Sequence, residues 1–527
     1  MLSESLQTKN SKTAAFLTGS IFLLFYWFFG FDGITFSDDV YYLIAGKKFW
    51  EGTMQTGDFH FSSRWGAYVP AGFLGWILGF DPHRISLISW LAYVGSLALL
   101  MKVLPKSSVT WVMVLWFGTQ VYFLHFLTKV YPDSLLVFWV VLIPFSACYR
   151  TQRPILAALG LISGLFFGFI TKETIVFLAP FPMFLLLIDW KNKQINLRFY
   201  ASLLGFGLLF GLSYLGYFWV EFGDPLYRVT SINAGHYISE FTYADKGIWA
   251  ILKRISYVPI LTFVERGYWL WVVMAIPGIW MTWQSSAKTG LEFSLAAVCL
   301  LLGFWLMTST LNFYNPIYLN PRHLIILVPI LAYLIALGWR KWESDAILFR
   351  IILGLILLGV GISLFQLDWK MTAFQAGFLL WYSWRKMPLK STVLLILLLA
   401  PALFSIAYQG RVKAYSGLIE SLNEILQNPD NHKPILTHNF LHFSREVLFP
   451  EDSASQRRIL PIEKLDSLRP HLPDQMDVLI YEYYKHAYPK EQVDVDALEI
   501  YLEENFELVQ ESKKDLIWLR SFERRKN

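Results

Sequence analysis

Phe36-Ser37-Asp38-Asp39-Val40-Tyr41-Tyr42 places two adjacent carboxylates directly after a long apolar stretch. At a membrane–water boundary such a pair can draw a proton from a hydroxyl or hold a metal ion. The same residues can also do something plainer. Ser37 can cap the next helix, with Asp38 and Asp39 in a first turn whose dipole favours acids. The residues alone leave both readings open. Asp133, in Lys129-Val130-Tyr131-Pro132-Asp133, either caps a helix or adds a third carboxylate. Three carboxylates around one cavity repel each other unless they share a proton, a metal ion or a cationic partner. Lys172, in Thr171-Lys172-Glu173, either pairs locally and snorkels to water or meets a lipid phosphate. Arg322, in Asn320-Pro321-Arg322-His323, is either an interfacial anchor or a bidentate phosphate ligand. Arg64, His60 and His236 are weaker candidates, and His125 could pair with Asp133.

These groups matter because charge is scarce around them. The chain has 527 residues, 55% hydrophobic and 16% charged, against about 25% charged in ordinary soluble proteins. From residue 409 on, 37 of 119 residues are charged, against 48 of the 408 before them. This divides the chain into a membrane part, 1–408, and a soluble part, 409–527. The net charge of +5 and the single basic run, Arg524-Arg525-Lys526, give no reason to expect a nucleic-acid partner. Cys148 and Cys299 cannot form a disulfide framework and are given structural roles.

A span needs about 20 apolar residues, and shorter ones are tolerated. Thirteen segments qualify: 13–31, 85–104, 109–126, 134–148, 155–170, 174–188, 199–220, 268–283, 292–310, 323–338, 348–367, 372–384 and 389–408. With the N-terminus inside, the short inside connections hold 16 Lys/Arg and the short outside ones four: Lys129, Lys172, Arg322 and Lys370. The positive-inside rule then places the candidate groups, loops 32–84 and 221–267, and the tail on the outside. The two loops read as amphipathic surface helices, for example over 40–49. The tail reads as a small α/β domain, with strands near 434–438, 477–481 and 516–519 and helices near 462–472 and 495–506.

Taken together, the motifs resemble the GT-C class of membrane glycosyltransferases. The nearest branch is the bacterial one, with the protein O-mannosyltransferases and the aminoarabinose transferase that modifies lipid A. Asp38-Asp39-Val40-Tyr41-Tyr42 matches an acidic pair followed by a tyrosine, with Tyr42 in the tyrosine place. His60-Phe-Ser-Ser-Arg64-Trp-Gly, Tyr131-Pro132-Asp133, Lys172-Glu173, Gly223-Asp224-Pro225-Leu226-Tyr227 and Arg322-His323 followed by Pro329 match further recurrent segments. The likeness covers about 13–408. It departs at Asp39, where many relatives carry the longer Glu.

The resemblance implies an inverting transfer of one sugar from a polyprenyl-phosphate donor to a glycan, lipid or protein acceptor. It places this at the outer face of a bacterial cytoplasmic membrane, with membrane lipid as a further partner. It casts Asp38, Asp39 and Asp133 as catalytic, and Lys172, Arg322 and Arg64 as phosphate ligands. Tyr42, Glu173 and His323 would contact acceptor or sugar. It names no definite cofactor and leaves a divalent cation at Asp38, Asp39 and Asp133 open. The alternatives are a flippase of a lipid-linked sugar, a ligase or polymerase with a lipid-diphosphate donor, and a sensor. A flippase would need no carboxylate pair at one face and usually shows inverted repeats, which this sequence lacks.

Overall fold

The computed structural model describes residues 2–57, 59–105, 109–233, 242–284, 290–310, 313–339, 341–427 and 431–525, with side chains from residue 11 on. His236 lies outside these residues, as do Lys106, Lys288, Arg340 and Lys526 from the charge counts.

Each of the thirteen apolar segments is helical over most of its length. Among the described residues, seven helices are long and apolar enough to cross a membrane, from Ser11–Phe29 to Lys390–Leu426. The number rises to nine if two bent pairs each count as one span: Thr110–Phe117 with Val121–Leu127 at 71°, and Val258–Glu265 with Trp269–Gln284 at 108°. Others of the thirteen, such as Pro132–Ala147, Leu291–Leu306 and Leu327–Gly338, are shorter apolar helices. This is a multi-pass membrane architecture, mainly helical, with a small sheet at its C-terminal end.

Helix Leu327–Gly338 is nearly all buried and forms the centre of the bundle. Glycines let its neighbour come close. A Cβ on Gly278 would lie 2.0 Å from the Leu334 carbonyl oxygen, and one on Gly338 would lie 2.2 Å from the Gly278 nitrogen. Small residues at such contacts are what bring helices together where lipid offers no hydrophobic contrast. By contrast, Leu197–Phe222 buries only Phe199 and Phe218 and presents its other apolar residues outward.

Helix α1 (Leu2–Phe29) leads into a short strap, and α2 (Asp38–Trp50) then packs on α3 (Trp65–Leu78). Gly46 and Gly72 are the reason they can touch: a Cβ on Gly46 would sit 2.7 Å from the Tyr68 carbonyl oxygen. The expected surface helix over 40–49 is therefore α2, beginning two residues earlier.

In the tail, five strands pair in the order β2-β1-β3-β5-β4. They are β1 (Ile435–Thr437), β2 (Ile459–Pro461), β3 (Gln475–Tyr481), β4 (Phe506–Lys514) and β5 (Ile517–Arg524). β1 is parallel to both β2 and β3, and Ile435 faces Ile459 on one side and Asp477 on the other. β5 runs antiparallel to β3 and β4, with Leu479 opposite Leu519. The strands expected near 434–438, 477–481 and 516–519 are β1, β3 and β5. β2 is only Ile459-Leu460-Pro461 and directly follows helix Ser453–Arg458, and β4 is almost wholly exposed, so neither was expected. The helix expected at 462–472 breaks into three short turns. The membrane helix Lys390–Lys413 runs past residue 408, and the left-handed Ala414 (φ 46°) turns the chain into the tail.

Candidate functional site

The strap between α1 and α2 sets the site. Gly33 (φ 87°) and Phe36 (φ 59°) both adopt left-handed backbone, which folds the strap tightly enough to aim α2. Ser37 makes no side-chain cap on α2. Asp39 does that work from inside. Its carboxylate accepts from the Thr35 amide and hydroxyl, both at 2.6 Å, the Ser37 amide at 3.2 Å and the Val40 amide at 3.0 Å. Asp39 is thus buried and its acceptor capacity is used by the strap. At the root of the strap, Asp32 is buried between Lys129 and Lys413. Burial alone would raise its pKa, but the two ammonium groups hold it well below the usual carboxylate range.

Asp38 points the other way. Its carboxylate meets Arg322 at 2.7 Å. The guanidinium lies over the Tyr131 ring, 5.1 Å from its centre, and its Nε is 4.0 Å from Asp133. Lys172 Nζ donates to both Asp133 oxygens at 2.7 Å. Lys172 can reach in because it stands in extended backbone (φ −161°, ψ 142°) where helix Pro154–Thr171 stops and a 3₁₀ turn, Glu173–Leu178, begins. Burial lowers its pKa to about 8, against the pull of Asp133. Beside it, Arg64 forks onto Glu173 at 2.8 and 3.2 Å and donates to the Tyr42 hydroxyl at 2.6 Å. Burial would lower the pKa of Arg64, yet Glu173 and Tyr42 raise it above the usual range. Arg228 closes this group, 2.6 Å from Glu173 and 3.0 Å from the Tyr214 hydroxyl.

Part of this group lines a cavity of about 650 Å³. Asp38, Arg64, Lys172, Glu173, Arg322 and His323 line it. The five formal charges leave one positive in excess. Phe61, Phe169, Phe177, Ile232, Met307 and Ile317 form apolar walls, and Thr308, Ser309, Thr310 and Asn315 a polar shelf. The cavity is shaped for an anion with an apolar body and a polar third component.

Six of the nine expected site residues therefore share one wall. Asp39, Asp133 and Tyr42 stand behind it. Asp39 holds the strap, Asp133 holds Lys172, and Tyr42, fully buried and stacked on Phe61, holds Arg64. The expected contact of Tyr42 with a sugar does not fit that position. Nor do Asp38, Asp39 and Asp133 converge on one point. Among the described residues no group of three or more His, Cys, Asp or Glu side chains is placed to hold a metal ion. The Asp39 oxygens accept from the amides of Thr35, Ser37 and Val40 and from the Thr35 hydroxyl, and those of Asp133 face an ammonium. His125 is buried beside the Asp32 cluster, and its Nδ1 does not reach Asp133.

Arg228 and Thr35 are additions to the expected set. Arg228 follows directly on Gly223-Asp224-Pro225-Leu226-Tyr227, so that segment pointed to it. Nothing in the sequence marks Thr35, whose hydroxyl bridges Asp39 and the Tyr131 hydroxyl at 2.6 Å each.

The same overall fold occurs in solved structures. The crystal structure of ArnT from Cupriavidus metallidurans bound to undecaprenyl phosphate matches with a TM-score of 0.58 at 11% identity, covering 96% of this chain and 97% of that one. The apo structure of the same protein matches with a TM-score of 0.58 at 12% identity, over 97% and 98%. No family model and no curated protein sequence matches this chain. The likeness is one of fold along the whole chain, membrane part and tail together.

Proposed function

We propose that this protein is a GT-C-type glycosyltransferase. In this reading it moves a sugar from a polyprenyl-phosphate-linked donor to an acceptor hydroxyl, with inversion, on the outer side of a bacterial cytoplasmic membrane. One observation carries it: Lys172 and Arg322, each beside the buried Asp133, line one apolar-walled cavity together with the Asp38 carboxylate. The crystallised binding of undecaprenyl phosphate to ArnT, which shares the fold, supports the donor class. The positive-inside count supports the side of the membrane.

In the free protein Arg322 is neutralised by Asp38. A donor phosphate takes over the guanidinium, bidentately, and Lys172 binds it as a point charge. That exchange releases Asp38 to accept the proton of the acceptor hydroxyl. The hydroxyl oxygen bonds to C1 from the face opposite the phosphate. The C1–O electron pair stays on the departing phosphate, where Lys172, Arg322 and Arg64 stabilise the added charge. The apolar walls take the prenyl chain.

The test is transfer by purified protein from a panel of polyprenyl-phosphate sugars. Asp38→Asn keeps a hydrogen bond to Arg322 but cannot take a proton, and is expected to lose at least about 100-fold in kcat. Full activity in Asp38→Asn removes Asp38 as the base.

A further inference from the structure

In open α/β sheets the ligand crevice lies off the carboxyl ends of the strands, where the strand order reverses. In this tail the order reverses at β1: the chain moves from β1 to β2 on one side and then to β3 on the other. The crevice here contains the strap. Phe36 packs with its ring centre 5.2 Å from that of Phe440, just after β1, 6.2 Å from Tyr481, which ends β3, and 6.3 Å from Tyr483. Beside it, the Tyr488 hydroxyl lies 2.8 Å from the Thr35 carbonyl oxygen and 3.1 Å from that of Phe36. The Tyr488 ring is fixed in turn by stacking on Phe440 at 4.6 Å.

We propose that the C-terminal domain is the positioning device of the site, and that Tyr488 is a positioning residue for Asp38. The inference rests on the glycosyltransferase reading for what Asp38 does. The connection is continuous. Tyr488 fixes the carbonyls of Thr35 and Phe36, the Thr35 amide and hydroxyl fix the Asp39 carboxylate, and Asp38 stands between Ser37 and Asp39 where α2 begins. The strained left-handed conformation of Phe36 needs such support, because a bulky residue adopts it only when its surroundings impose it. The tail thus sets where the base stands.

Tyr488→Phe removes one hydroxyl and leaves the stacked ring. In the full-length protein kcat for sugar transfer is expected to fall about tenfold, the loss of one hydrogen bond at most. The KM for the donor should stay unchanged, since Lys172, Arg322 and Arg64 are untouched. Hydrogen exchange of the variant should show faster exchange at the amides of Thr35, Ser37 and Val40, with β1 and β3 still protected. Phe36→Ala should give the same pattern, more strongly. Unchanged exchange in the strap of both variants overturns the inference. So does a donor KM that rises as much as kcat falls, or loss of protection throughout the sheet. A wild-type protein that transfers no sugar from any polyprenyl-phosphate donor sinks the functional reading instead, and the exchange data then still decide whether the tail holds the strap.

Discussion

Lys172 gives the account a signature in pH. Its ammonium is buried in the connection between two membrane helices, and burial lowers its pKa from 10.5 to about 8 even with Asp133 at 2.7 Å. If this ammonium binds the donor phosphate, affinity is full below pH 8. Above it each bound phosphate must first restore a proton, so affinity falls by up to tenfold per pH unit, about 1.4 kcal/mol. Between pH 7 and pH 9 the loss should be about tenfold. The ligand adds little to the slope above pH 7, because the second ionisation of a phosphate monoester lies near pH 6. Stability carries the opposite sign. Between about 8 and 10.5 the unfolded chain binds more protons at Lys172 than the folded one, so this group's contribution to stability rises with pH. Unfolding at Lys172 therefore does not imitate the effect. The assay is equilibrium binding of polyprenyl phosphate to the detergent-purified protein from pH 6.5 to 9.5, in wild type and Lys172→Arg. The arginine stays charged throughout, so its affinity should be flat with pH. A flat wild-type curve, or an equal slope in both proteins, refutes the role given to Lys172.

Glu173→Gln leaves Arg64 and Arg228 facing a neutral amide. It should destabilise the protein by about 3 kcal/mol, the low end for a broken buried pair because a fifth of the Glu173 side chain is exposed; denaturant midpoints with unchanged m-values check this. Gly66 lies against the connection that carries Lys172, and a Cβ there would be 2.2 Å from Thr171 Oγ1 and 3.0 Å from the Thr171 nitrogen. Gly66→Ala should therefore push α3 and Lys172 apart and weaken polyprenyl-phosphate binding, whereas Gly216→Ala, with open space around it, should leave binding unchanged.

The membrane helices and the common wall were legible because charge is rare in the first 408 residues. A carboxylate or guanidinium beside long apolar runs stands out, and the alternation of connections puts such groups on one face. What stayed hidden was long-range. Asp32 is held by Lys129 and Lys413, 97 and 381 residues away, and no local spacing joins them. Lys129 reads as a loop cation and Lys413 as part of the tail, yet both are buried at the root of the strap. Asp39 looked like the equal of Asp38 because helix spacing shows that successive side chains diverge but not which of the two faces the cavity. The tail's role was invisible for the same reason, since Tyr488 meets Thr35 across 453 residues.

The central claim is that this cavity takes a lipid-linked phosphate beside a carboxylate base. A structure of the protein with a polyprenyl phosphate bound tests it most directly. The account predicts the phosphate between Lys172 and Arg322, the Asp38–Arg322 pair of 2.7 Å opened, and the prenyl chain along Phe169, Phe177 and Ile317. A lipid bound elsewhere, with Asp38 still closed on Arg322, contradicts it.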